Sequence, residues 1–185
     1  IIEANLFEEV IYYGDTARVP YGIKNETTII KYSLEAVDFF EDKKIDLLIC
    51  ACNSVSACAL EEMKQKASFD VLGVIESGIL AVSKYANKND KILIIGTKAT
   101  TKTKKYEKGL NELGYTNCIS LATPLFVPIV EEGIFSGAIL KETIKHYFND
   151  IKNIDYIILA CTHFPFIEKE IRTYFNNKKS IHSGD

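Results

Sequence analysis

Short apolar runs alternate along the chain with longer stretches in which apolar positions recur every three or four residues. Branched and aromatic residues cluster over residues 10–13, 46–51, 71–74, 91–95, 117–121, 156–159 and 180–182, which predicts strands there. Between them, amphipathic spacing predicts helices over residues 27–40, 57–66, 78–85, 103–113, 136–148 and 165–175. Regular strand–helix alternation points to an α/β fold with mostly parallel sheets. Runs such as Leu47-Leu48-Ile49 and Ile157-Ile158-Leu159 are apolar on both faces. They suit sheet centres covered by helices on each side.

One pattern occurs twice. Asp46-Leu-Leu-Ile-Cys-Ala-Cys-Asn53 returns as Asp155-Tyr-Ile-Ile-Leu-Ala-Cys-Thr162, with acid, buried strand, Ala, Cys and small polar residue in the same order. The repeat implies two similar α/β halves. Ligand sites in such sheets lie at the carboxyl ends of the strands, so Cys52 and Cys161 each fall at the functional edge of one half. Two buried strands of Ile and Leu resemble each other in many α/β proteins, and Cys is a common core residue. The residues that follow weigh against that reading: Asn53-Ser54 and Thr162-His163 set hydrogen-bonding side chains where a plain core has no use for them.

Composition narrows the function classes. With 47% hydrophobic and 25% charged residues, the chain reads as an ordinary folded globular protein. A net charge of −3 offers no basic field for a phosphate backbone, so no nucleic-acid partner is expected. Neither a membrane-length apolar run nor a signal-peptide pattern is present, and a cytoplasmic location without membrane attachment is expected. Five cysteines are an odd number without framework spacing, which argues for free thiols in a reducing compartment. The chain opens on Ile1 and closes on Ser183-Gly184-Asp185 just after a predicted strand, so both ends read as cut from something longer.

A thiolate serves as nucleophile, metal ligand or base. One thiol beside a histidine suggests a covalent nucleophile. Two thiols in repeat-related places suggest a different role, in which one removes a proton from a carbon and the other returns a proton to the opposite face. A stereocentre is inverted that way without a cofactor. The α-proton of an amino acid is far less acidic than a thiol, so donors around the carboxylate must stabilise the carbanion. Thr97 and Thr100, which follow a strand and open a helix, form a candidate carboxylate cradle, with an ordinary helix cap as the alternative. His163, two residues past Cys161, is placed to assist that thiol. Arg18, in the polar loop that follows the first predicted strand, suits either a substrate carboxylate or a salt bridge to Asp15, while Tyr21 and Gly22 could line a pocket. By charge pattern alone, Glu131 and Glu132 read as an exposed helix face.

Gly14-Asp-Thr-Ala-Arg-Val-Pro-Tyr-Gly22, Ala51-Cys-Asn-Ser-Val-Ser-Ala57, Gly96-Thr-Lys-Ala-Thr100 and Cys161-Thr-His-Phe-Pro165 together resemble the glutamate racemases of the aspartate/glutamate racemase superfamily. The resemblance runs over essentially the whole chain. Phe126-Val-Pro-Ile-Val-Glu131 and His182-Ser-Gly-Asp185 resemble the Campylobacter-like and Helicobacter-like members. It implies two Rossmann-like three-layer domains related by a pseudo-twofold axis, with the substrate in the cleft between them. The corresponding boundaries are residues 1–76 for the first, 77–179 for the second, and 180–185 for the start of a return to the first. It also implies cofactor-independent interconversion of L- and D-glutamate for peptidoglycan synthesis, in a protein that is a homodimer at full length.

Carried over position by position, Cys52 and Cys161 are the acid/base thiols, and His163 assists Cys161. Tyr21, Gly22, Asn53, Ser54, Thr162 and His163 match substrate-binding positions, with Thr97 and Thr100 as additions. Glu131 matches an acid that tunes the site, against its surface reading. Ser54 stands where the family usually has Thr, and Ala160 where Gly is frequent. An initial strand ending in an Asp-Ser pair and a C-terminal segment are both implied but absent from these residues, so the chain on its own is expected to be inactive. The rivals are an aspartate or other amino-acid racemase of the same superfamily, and a zinc site formed by Cys50, Cys52, Cys161 and His163.

Overall fold

The structure, a computed structural model, describes residues 6–185. It is an α/β architecture built on two parallel sheets. The first half contains α1 (Glu26–Glu41), β1 (Leu47–Cys50), α2 (Asn53–Cys58), α3 (Leu60–Lys66) and β2 (Asp70–Gly73). Helix α4 (Ile75–Ser83) leads into β3 (Ile92–Gly96), α5 (Lys98–Lys102), α6 (Lys105–Glu112) and β4 (Cys118–Ala122). Then follow α7 (Phe126–Glu131), α8 (Ala138–Phe148), β5 (Tyr156–Ala160), α9 (Glu168–Tyr174) and β6 (Lys179–Ile181). No helix among the described residues is long and apolar enough to cross a membrane.

Strand β1 pairs with β2, and the other sheet runs β4-β3-β5-β6, all pairs parallel. All five residues of β3 are buried, as the doubly apolar sequence requires of a strand covered on both faces. Its side chains alternate between two cores. Ile92 and Ile94 join the cluster that contains Ile29, Leu60, Met63 and Val82, whereas Leu93 and Ile95 join the one built on Phe126, Phe148 and Phe164. The first cluster therefore runs continuously from the first half onto one face of the four-stranded sheet, holding the halves together along one apolar seam. Helix α1 follows from local chemistry: Asn25 caps it by accepting from the Thr28 N–H at 2.8 Å, and Ile29, Ser33, Val37 and Phe40 form its buried stripe.

Residues 10–13 form no strand. Branched and aromatic residues favour extended backbone, but a strand exists only with a partner ladder, and among the described residues none lies alongside. Tyr12 is 90% exposed, while Tyr13 packs its ring against Phe39 and Phe40. The helix expected over residues 103–113 starts only at Lys105, because Lys104, with a φ of 55°, breaks the chain between it and α5. Similarly, the helix expected from residue 57 begins at Asn53 and is interrupted at Ala59. The C-terminal helix is preceded by a 3-10 turn, Phe164–Ile167, with a proline in its first positions. Helix α7 was not expected, because Pro128 masks its pattern; proline is tolerated there since it sits in the first turn. Strand β6, at the place read from sequence as a return to the first half, pairs with β5 in the four-stranded sheet.

Candidate active site

The repeated segments end alike. After β1, the chain runs through Ala51 and Cys52 into α2, with Cys52 as the residue preceding its first turn. After β5, Cys161 follows the strand directly and the chain turns into the Phe164–Ile167 segment. Both thiols thus stand at carboxyl ends of parallel strands.

Cys52 is served by the backbone of its own helix. The Val55 and Ser54 N–H groups and the Ser54 side chain are directed at its sulfur and favour the thiolate, but burial outweighs them and pushes the thiol above its ordinary range. Cys161 is 7% exposed, and burial pushes it up to about 12. The His163 backbone N–H pulls in the opposite direction, and charge on Cys52 pushes Cys161 further up.

Behind Cys161 lies a relay. His163 Nδ1 is 3.9 Å from the Cys161 sulfur, and Nε2 meets Glu131 Oε1. Glu131 ends α7, the unexpected helix, so the element hidden in the sequence is the one that delivers the acid to the imidazole. The carboxylate fixes the ring orientation and leaves Nδ1 facing the thiol.

A hydroxyl cluster links the two halves. Ser54 Oγ lies 2.8 Å from Thr97 Oγ1 and 3.4 Å from Thr100 Oγ1, and the two threonine oxygens are 3.1 Å apart. Thr97 also caps α5, accepting from the Thr100 N–H at 3.2 Å. Cap and cradle, posed as alternatives by the sequence, are thus compatible in one residue. Gly22 presses on this cluster: a Cβ there would fall on the Thr97 side chain, so the loop from Asp15 reaches the cluster only because residue 22 has none. Tyr21 is anchored beside it by a 2.5 Å hydrogen bond from its hydroxyl to Asp15 Oδ2. Arg18 is engaged within the protein, 2.6 Å from Glu35 and 3.6 Å from Asp15, with its guanidinium over the Tyr32 ring. Thr162 is exposed at the turn after Cys161.

The zinc arrangement does not form. Cys50 turns its thiol to Met63 Sδ at 3.5 Å inside the core, and among the described residues no three His, Cys, Asp or Glu side chains gather as metal ligands. Cys50 and Cys52 are two residues apart in sequence, but the thiol of Cys50 is spent on core packing.

The family model for Asp/Glu/Hydantoin racemases matches residues 4–184. The chain belongs to that racemase family. A glutamate racemase from Campylobacter jejuni is 55% identical over 187 residues, a match spanning 100% of this chain and 75% of the relative. The crystal structure of a glutamate racemase from the same species superposes with a TM-score of 0.95 at 55% identity, covering 99% of this chain and 74% of that one. A glutamate racemase from Francisella tularensis, solved in complex with D-glutamate, gives a TM-score of 0.82 at 32% identity, covering 90% of this chain and 64% of that one.

The racemase fold thus gathers Cys52, Asn53, Ser54, Thr97 and Thr100 along one seam and Cys161, His163 and Glu131 along another. Sequence reasoning missed Tyr106. Its hydroxyl donates to Asn53 Oδ1 at 2.7 Å, and charge on Cys161 acts on it. Nothing in the sequence marks it, since a tyrosine on the apolar face of an amphipathic helix reads as core.

Proposed function

We propose that the protein interconverts L- and D-glutamate without a cofactor, with Cys52 and Cys161 as opposed acid/base thiols, and that it supplies D-glutamate for peptidoglycan. In each turnover one sulfur enters as thiolate and the other as thiol. The thiolate takes the Cα proton, the electron pair of the C–H bond stays on carbon, and the opposite thiol delivers its proton to the other face. Product leaves with the two sulfurs in exchanged protonation states, ready for the reverse reaction. Asn53, Ser54, Thr97, Thr100 and Thr162 donate to the substrate carboxylates, with Tyr21 and Gly22 shaping the pocket wall and His163 assisting Cys161 while Glu131 orients it.

The observation that carries this reading is the pair of thiols at equivalent strand ends of a sequence repeat, in a chain 55% identical to a glutamate racemase along its whole length. Desolvation keeps the thiols mostly protonated and so provides the acid, while the N–H and hydroxyl donors directed at Cys52 favour the thiolate that serves as base. The units carrying them are residues 1–76 and 77–179. Five free cysteines fit action in a reducing cytoplasm, and a homodimer is the assembly state we expect of the full-length protein.

The assay uses the gene product at its full natural length in deuterated water. Either glutamate enantiomer should gain solvent deuterium at Cα as its mirror image forms. Racemisation that persists when Cys52→Ala and Cys161→Ala are combined would overturn the mechanism. Turnover of aspartate in place of glutamate would leave the mechanism and change the substrate.

A further inference from the structure

Tyr106 is held where no apolar packing need would put a hydroxyl. It lies on α6, is 3% exposed, and its Oη donates to Asn53 Oδ1 at 2.7 Å. Asn53 is the first residue of α2, adjacent to Cys52, and is itself 3% exposed. The bond therefore joins a helix of the second half to the segment carrying the first half's thiol. Gly78, inside α4, makes room for it: a Cβ there would stand 2.9 Å from Tyr106 Oη. Three elements converge on this one phenol oxygen.

The chemistry of an amide gives that bond a consequence. Asn has one acceptor end and one donor end, and the two are interchanged by a half-turn of the group. A substrate carboxylate, or negative charge growing on a carbanion, is stabilised only by the donor end. A bound phenol O–H occupies Oδ1 and leaves Nδ2–H as the end that Asn53 can present to the cleft. Burial, and negative charge on Glu76 and Cys161, push the Tyr106 phenol well above its ordinary value, so it stays a donor across the working pH range.

We propose that Tyr106 is a positioning residue of the racemase site, holding the Asn53 amide so that its Nδ2–H group faces the substrate between the two thiols. The proposal rests on the reading of Asn53 as a substrate-binding residue. It assigns a role in turnover to a buried tyrosine in the second half that contacts no substrate itself.

The test is a double-mutant cycle on the full-length enzyme, with Asn53→Ala, Tyr106→Phe and their combination compared by kcat, KM and thermal unfolding. Tyr106→Phe is expected to lower kcat/KM about tenfold, mainly through KM, in both directions. In the Asn53→Ala background it should cost no further activity, because nothing remains to orient. A purely structural tyrosine would instead lower the unfolding temperature and reduce activity equally in both backgrounds, which would overturn the proposal. Full activity in Tyr106→Phe alongside a defective Asn53→Ala would overturn it too, leaving the substrate role of Asn53 intact. Full activity in Asn53→Ala would remove both claims. Should Tyr106→Phe fail to fold, Gly78→Ala crowds the same oxygen while keeping the ring. It should reproduce the KM effect in wild-type and not in Asn53→Ala background, and equal losses in both would count against the proposal.

Discussion

The two thiols occupy equivalent places in a repeat, yet their surroundings differ. Cys52 precedes a helix and is met by backbone N–H groups of that helix, with hydroxyls from both halves at Ser54, Thr97 and Thr100 beside it. Cys161 precedes a tight turn and is met by a single backbone N–H, that of His163, whose imidazole also stands 3.9 Å from the sulfur, backed by Glu131 from a helix more than thirty residues earlier. A repeat can thus duplicate the position of a group while leaving each copy its own means of managing charge. Fixed amide dipoles stabilise a thiolate without moving a proton, whereas an imidazole can also take or give one. In the proposed mechanism, the Cys161 side is therefore the one with a neighbour that can exchange a proton with its thiol.

The largest test of that comparison is to remove each thiol alone. Cys52→Ala and Cys161→Ala are each expected to lower racemisation by about 10⁴-fold or more, since each removes the acid/base group proposed for one face of the substrate. The enantiomers have equal free energy, so kcat/KM must fall equally in both directions. The asymmetry appears in exchange without inversion: each variant should wash solvent deuterium into only the enantiomer whose face keeps its thiol. NMR of recovered glutamate reads this, and wash-in to both enantiomers by either single variant would break the assignment of one thiol per face.

What the two sides share is protonation. Burial raises both thiols, Cys161 to about 12, so at neutral pH each is predominantly a thiol and the reactive thiolate is scarce. The rate constant kcat/KM should rise about tenfold per pH unit between pH 7 and 8.5. A pH-independent rate there would mean that the His163 or helix-amide support wins over burial. Stability follows the opposite course. A thiol with a folded pKa above its unfolded value leaves stability unchanged below about pH 8.5, and stability then falls as pH rises towards the folded value near 12. Thermal melts should therefore be flat to pH 8.5 and decline beyond it, and Cys161→Ala should lessen that decline.

The relay itself is tested by His163→Gln, with an expected loss on the order of tens-fold, and by Glu131→Gln, with a smaller one of several-fold. Both should act on the steps that use Cys161. The primary deuterium isotope effect should grow for the enantiomer whose proton Cys161 takes and change less for the other. Equal changes for both enantiomers would mean that His163 serves the substrate and not one thiol.

The legibility of these features in the sequence follows from how local their causes are. The parallel pairing and the thiols at strand ends are carried by contiguous residues: Tyr156–Ala160 is apolar on both faces and buried along most of its length, with Cys161 next in line. Leu47–Cys50, expected as a sheet centre, is instead half-buried except at Cys50, because among the described residues it pairs with β2 alone, and Cys52 follows it after Ala51. The Asn25 cap sits beside an evident helix. The partners of the thiols were less accessible. Glu131 lies on a six-residue helix whose pattern Pro128 masks, and its link to His163 is a tertiary contact between residues of separate elements. Only the motif resemblance singled it out. Tyr106 matched no motif, and its contact with Asn53 depends on the approach of α6 to α2 around Gly78. Residues 10–13 failed in the other direction, since strand propensity is local but a ladder is not.

The smallest expected effect concerns the hydroxyl cluster on the Cys52 side. Ser54→Ala removes a donor aimed at the Cys52 sulfur and one corner of the cluster with Thr97 and Thr100. The threonines keep their own 3.1 Å contact, and Thr97 keeps its cap on α5, so the fold retains its local support. A neutral hydrogen bond lost without stranding its partners costs about 1 kcal/mol, which corresponds to a several-fold fall in kcat/KM and a drop of a few degrees in melting temperature. Ser54→Thr, which restores the hydroxyl, should recover most of both. Because the cluster serves Cys52, the isotope effect should grow for the enantiomer opposite to the one affected by His163→Gln. Should both substitutions enlarge the effect for the same enantiomer, the division of labour between helix amides and imidazole would fail, and the two thiols would have to be treated as one coupled unit.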